Sequence, residues 1–110
     1  MSWTAEMVEK ELSQRADALD ETADVKLFET VMEQTTCYFK VGNFERALDR
    51  SMELSAIATK LSIKEVEEEC RAAIKHNLAT ALHHIGAFEA AKFFYTKAYY
   101  EMEAAPETHG

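Results

Sequence analysis

The chain has 110 residues, enough for one domain with a single modest core, and its 47% hydrophobic content is not that of a disordered segment. Net charge is −8 with no basic stripe, which argues against nucleic-acid binding. The first 24 residues carry seven acids against two bases, so an anionic membrane would be repelled as well.

Three Gly and one Pro in the whole chain predict helices with short connections, and the alternating β-branched runs of strands are missing. An all-α fold of about five helices is expected. No apolar run reaches membrane-spanning length, and the opening "MSWTAEMVEKEL" has no basic segment leading into an apolar one. Cys37 and Cys70 stand alone without CxxC spacing, as in a reducing cytosol. A cytoplasmic location is the expectation.

The first predicted helix spans residues 3–19, capped by Ser2, with Ala5, Val8, Leu12, Ala16 and Leu19 on one stripe. It reads as an N-terminal cap over residues 1–20. "DETAD" (20–24) breaks it. The second helix spans 25–41, with Leu27, Phe28, Val31, Met32, Thr35, Tyr38 and Phe39 along one side and Gly42 as a left-handed stop. The third starts after Asn43 and runs to about 60, with a wide apolar arc that implies two neighbours. The fourth is predicted to start at a capping box formed by Ser62 and Glu65 in "SIKE". Its expected buried stripe is Val66, Cys70, Ala73, Ile74, Asn77, Leu78, Ala81 and Ile85, and Gly86 ends it. The fifth spans 88–104, ahead of Pro106, with a mobile tail over 105–110.

"GNFERAL" at Gly42 and "GAFEAAK" at Gly86 share Gly, any residue, aromatic, Glu, any residue, Ala, 44 residues apart. In "NLATALHHIGAFEAAKFFYTKA" the residues Leu78, Ala79, Leu82, Gly86, Phe88, Ala91, Tyr95 and Ala98 form a pattern that resembles the tetratricopeptide repeat. In the earlier copy the same places fall on Thr35, Tyr38, Gly42, Phe44, Ala47, Ser51 and Leu54, and Thr35, Ser51 and Leu54 depart from it. The standard period is about 34 residues. The longer one here implies two long-helix repeats, over 25–61 and 62–104. Small residues such as Ala47 and Ala91 would let backbones approach, and Phe44 and Phe88 would plug the space beside each turn.

The resemblance implies a stacked α-solenoid that binds protein. Its groove would be lined by the first helix of each repeat: Glu29, Met32, Thr36, Phe39 and Lys40, then Ala73, His76, Thr80, His83 and His84. Met32 and Phe39 also fit the packed stripe. Chaperone C-terminal tails would be poor ligands, because Met32 and Thr36 occupy the places where that groove needs Lys and Asn; Asn77 alone matches. Long-period arrays of this kind occur in cytoskeletal and ciliary adaptors, which is analogy to the family only.

Catalytic chemistry is not indicated. The Gly residues are isolated, so no phosphate loop forms, and no Ser sits in a nucleophile elbow. His76 and His83 are seven residues apart, about 10.5 Å along a helix, too far for one metal ion. His83 and His84 diverge by about 100°, and His109 carries no signal. No cofactor, no metal and no enzymatic activity are expected.

On the fifth helix, Phe88, Ala91, Phe94, Tyr95, Ala98, Tyr99 and Met102 share an arc of about 140°, which is expected to pack on the fourth helix. Phe93 and Tyr100, with Lys97 between them, point to the other side and mark a terminal interface, unless the rings fold over Lys97 and Glu89 or the first helix covers them. Trp3 and Met7 raise the same question at the other end. Two functions follow as expectations: an adaptor or scaffold subunit that binds a partner helix or peptide, or a self-assembling subunit that forms a homo-oligomer through its last helix.

Overall fold

The computed structural model describes residues 2–104, and all of the secondary structure among them is helical. Five helices follow one another: α1 (Ala5–Leu19), α2 (Val25–Lys40), α3 (Phe44–Lys60), α4 (Glu68–His84) and α5 (Phe88–Ala104), with a short 3-10 turn at Asp20–Thr22. The expected tail, with Pro106 and His109, lies outside the described residues.

Each boundary has a local cause. Thr4, rather than the expected Ser2, caps α1 by accepting from the Met7 N–H at 3.1 Å. Asp24, the last residue of the acidic break, caps α2 through the Leu27 N–H at 2.8 Å. Asn43 caps α3 through the Arg46 N–H at 3.3 Å.

The two glycine turns are built alike. After α2, Gly42 N–H donates to the Phe39 carbonyl at 3.1 Å and Asn43 N–H to Tyr38 at 3.0 Å. After α4, Gly86 donates to His83 at 3.1 Å and Ala87 to Leu82 at 2.9 Å. This is the Schellman pairing, which needs a left-handed residue after the helix. Gly42 and Gly86 supply it at φ 74° and 90°. A Cβ on Gly86 would meet nothing within 4 Å, so only its backbone resists substitution. Gly86→Val is therefore expected to cost about 2 kcal/mol, because a β-branched residue pays the full left-handed penalty, whereas Gly86→Asn costs less than half as much. Urea melts of the two variants check this; equal midpoints for Val and wild type would remove the strain argument.

The capping box forms but does not start α4. Ser62 N–H reaches the Glu65 carboxylate at 2.9 Å, and Glu65 N–H reaches the Ser62 hydroxyl at 3.3 Å. Hydrogen bonding to Ser62 holds the Glu65 carboxyl below its usual range. The turn closes at Val66, which is buried, and the backbone extends again at Glu67 before α4 begins at Glu68. Turn and helix are separated because Val66 must drop into the core while α4 crosses α3. Arg71 fixes this connection. Its guanidinium donates to the carbonyls of Val66 (3.0 Å), Leu61 (2.8 Å), Ser62 (3.2 Å) and Ala58.

The order of packing is α2 on α3, α3 on α4 and α4 on α5, while α1 lies across α3 and α5. The core has two parts. One gathers Ala47, Leu48, Met52, Leu78, Ala79, Ala81, Leu82, Ala90, Ala91 and Phe94 beneath Val8 of α1. The other gathers Phe28, Val31, Leu54, Ile57, Ala58, Leu61, Val66 and Ile74. The alanines let the helices close up, so Phe94 can fill the space between them.

Arg15 pins α1 to α3, at 2.7 Å from the Asp49 carboxylate and 3.2 Å from Glu53. Burial opposes the Asp49 charge, but hydrogen bonds from Arg15 and Arg50 outweigh it and hold the carboxyl below its ordinary value near 3.8. The folded state therefore binds this proton less readily than the unfolded chain. The stabilisation is complete above about pH 4 and is lost as pH falls further, through the lowered value. Thermal melts of wild type and Asp49→Asn are expected to differ at pH 6, with the difference shrinking as pH falls below about 4.

Two sequence expectations need correction. On α4 the buried residues are Ala72, Ile74, Leu78, Ala79, Ala81 and Leu82, whereas Ala73 and Asn77 are exposed and Cys70 and Ile85 are half-buried. The helix is gripped by α3 on one side and α5 on the other, and the two contacts together rotate its buried arc. On α5 the side packed against the core is Ala90, Ala91, Phe94 and Ala98, with buried Ala87 just ahead of the helix; Phe88, Tyr99 and Met102 are exposed and Tyr95 is half-buried.

Candidate functional site

The groove residues divide into two groups. Glu29, Thr36 and Lys40 of α2 are exposed, while Met32 and Phe39 are half-buried against the core. Thr36 spends its hydroxyl on the Met32 carbonyl at 3.0 Å. Phe39 meets Phe44 edge-on at 6.1 Å, and Phe44 stacks flat on His84 at 3.9 Å. His84 therefore acts as the lid on the first turn. Phe44 plugs its turn as expected; Phe88 does not, and it stands exposed with His83 tilted against it at 5.3 Å.

Ala73, His76 and Thr80 open in another direction, towards α5. His76 meets Tyr95 edge-on at 5.1 Å, and the Thr80 hydroxyl pairs with the Tyr95 hydroxyl at 3.0 Å. These contacts hold Tyr95 as one wall of a largely apolar cleft of about 370 Å³ between α4 and α5, lined by Ala73, His76, Asn77, Tyr95, Ala98, Tyr99 and Met102, with Glu69 at its edge.

The terminal face around Phe93 and Tyr100 is a second, shallower surface of about 570 Å³, with Glu89, Lys92, Thr96, Lys97 and Glu101 around the rings. Lys97 lies 5.3 Å from the centre of the Phe93 ring and pairs with Glu9 of α1 at 3.1 Å. Trp3 and Phe93 line one hollow at the start of α1. Glu9 of α1 and the segment ahead of α1 border the Phe93 edge, and both Phe93 and Tyr100 remain exposed.

A polar hollow of about 770 Å³ lies on α2 and α3, lined by Thr30, Glu33, Gln34, Cys37, Tyr38, Arg46, Asp49 and Arg50. Arg46 sits 5.9 Å over the Tyr38 ring and Arg50 is paired with Asp49, so its cations are largely spoken for. Cys37 and Cys70 are free thiols, and burial raises the Cys70 thiol above its ordinary range. Among the described residues no three His, Cys, Asp or Glu side chains converge as metal ligands, and no helix is long and apolar enough to cross a membrane.

The exposed strip of Phe88, Tyr99 and Met102 is what sequence reasoning missed. Its signal was present in the repeat. Moving 44 residues along the chain takes Ser51, Ser55 and Ala58 to Tyr95, Tyr99 and Met102, small residues to large ones on one strip. No protein-family model, no curated protein and no solved structure matches the chain.

Proposed function

We propose that this chain is a non-enzymatic interaction module, an adaptor or scaffold subunit of tetratricopeptide-like build, which binds a protein helix or extended segment at the open end of its stacked hairpins. One observation carries the reading: five large apolar side chains, Phe88, Phe93, Tyr99, Tyr100 and Met102, are exposed on the single helix α5. A monomer rarely leaves so much aromatic surface in water on one element without a partner for it. The two glycine turns with matching hydrogen bonds support the repeat, and the half-buried aromatics at the helix junctions give the surface a rigid base.

The test is affinity capture from an extract of the source cells, with mass spectrometry, beside sedimentation of the pure protein. Recovery of a defined protein partner by a monomeric bait supports the module. A mass that rises with concentration, together with capture of nothing but the bait's own copies, would replace it with the self-assembling subunit.

A further inference from the structure

We infer that the cleft between α4 and α5 receives a single amphipathic helix from another protein, laid against α5 as α4 is laid against α3, with basic residues on the half that faces the start of α4. This rests on the interaction-module reading and names its ligand.

The chain supplies its own template. Phe44, Ser51, Ser55 and Ala58 form one strip of α3 at i, i+7, i+11 and i+14. Both ends of that strip touch α4: Phe44 stacks on His84, and the Ala58 carbonyl accepts from Arg71. Between them Ser51 and Ser55 are only 1% and 7% exposed, and Ala58 itself is 4% exposed. The same strip one repeat later is Phe88, Tyr95, Tyr99 and Met102, where Tyr99 is 60% and Met102 54% exposed. Helix α5 therefore presents, uncovered, the face that α3 buries under a helix.

The occupant is one helix rather than a further hairpin. Beside the strip, α3 carries Leu48 and Met52, buried in a core shared with residues of α1, α4 and α5. The corresponding residues of α5 are Lys92 and Thr96, both exposed. A second covering helix would have to bury them, at the cost of a desolvated ammonium. The large Tyr99 and Met102 also require small residues opposite, so the incoming contact stripe is rich in Ala, Ser or Gly.

Charge selects the partner. Helices α2 and α3 each end with a lysine in the last turn, which offsets the negative end of the helix dipole; α5 has no basic residue there, and of its two acids Glu101 is paired with Lys75 of α4 while Glu103 is exposed. Glu68 opens α4 near this end. A helix laid parallel to α4 brings its own positive N-terminal end to this acidic corner, and Lys or Arg there complements it. A second copy of this chain fits badly. A two-fold arrangement sets these acids against each other. A head-to-tail arrangement would dock α2, whose Thr30, Gln34 and Cys37 are exposed and stand where α4 has buried Ile74, Leu78 and Ala81.

The probe is a synthetic 18-residue amphipathic helix with an Ala/Leu stripe and Lys flanking its first half, read by fluorescence anisotropy and by amide shift mapping on the full chain. A matched peptide with Glu for Lys is the control. The Lys peptide is expected to bind at least tenfold tighter than the Glu peptide, to shift amides of residues 73–77 and 95–103, and to weaken at least tenfold on Tyr99→Ser/Met102→Ser and on Glu103→Lys. Equal binding of the two peptides, no binding, or a footprint confined to Phe93 and Tyr100 would overturn the proposal. So would self-association of the pure protein that Tyr99→Ser/Met102→Ser abolishes. If a captured cellular partner still binds the Tyr99→Ser/Met102→Ser variant at full strength, the cleft assignment falls while the interaction module stands; if no partner is captured at all, the module itself falls.

Discussion

Arg71→Ala is expected to lower the free energy of unfolding by about 3 kcal/mol, with Arg71→Lys recovering less than half of the loss. Four backbone carbonyls converge on the Arg71 guanidinium, from the last turn of α3 and from the turn that follows. Helix ends leave carbonyls without partners, and hydrogen bonds to a charged donor contribute about 1.5–3 kcal/mol each when the alternative is an unsatisfied group. The side chain is half-buried, so water replaces part of what is lost, and the estimate is well below the sum of four bonds. Lysine has three donors on a point charge and cannot span acceptors spread along a bend; the planar fork can. Urea denaturation of the three proteins measures this, and a Lys variant as stable as wild type would show that the charge matters and the fork does not.

Phe94→Ala is expected to cost about 3–5 kcal/mol, the usual range for removing a buried phenylalanine. Phe94 is buried in the main core, where it meets the edge of Phe93 at 5.1 Å. The surrounding residues include Ala79, Ala90 and Ala91, which have no side-chain length with which to collapse into the hole. Phe94→Leu keeps most of the volume and is expected to cost about 1.5 kcal/mol or less. Calorimetry would read the alanine variant as a fall in Tm of about 15 °C or more, since each kcal/mol moves a domain of this size by about 4–8 °C. A fall of a few degrees would mean that the helices close over the gap.

Local signals wrote most of the fold into the sequence. Asp24, Asn43, Gly42 and Gly86 act on backbone groups within a few residues of themselves, so α2, α3 and α5 begin or end where those residues predict. The start of α4 was misread because the Ser62–Glu65 box is also purely local; what moves the helix to Glu68 is the burial of Val66 and the reach of Arg71 to carbonyls up to 13 residues away, and neither has a local sequence mark. The arc of α5 failed for a related reason. A helical wheel counts apolar residues, but which of them are buried depends on how many neighbours exist, and α5 has α4 and α1 where α3 has α2, α4 and α1. The terminal surface was legible at Phe93 and Tyr100 and hidden at Tyr99 and Met102, because the first pair lies off the apolar arc and the second lies on it.

The placement of α1 changes how the chain must fold. In an open array each hairpin needs only its neighbour, and folding can spread from either end. Here Glu9 and Lys97, 88 residues apart in sequence, are partners, and Val8 is sealed beneath residues of both hairpins. During synthesis α3 can receive α1 before α5 is made, but the seat of α1 is incomplete until then. The α2–α3 hairpin is built from local contacts, whereas the contact between α1 and α5 closes the longest loop among the described residues. The first and last helices are thus physically coupled, and a substitution that loosens α1 is expected to loosen α5 as well.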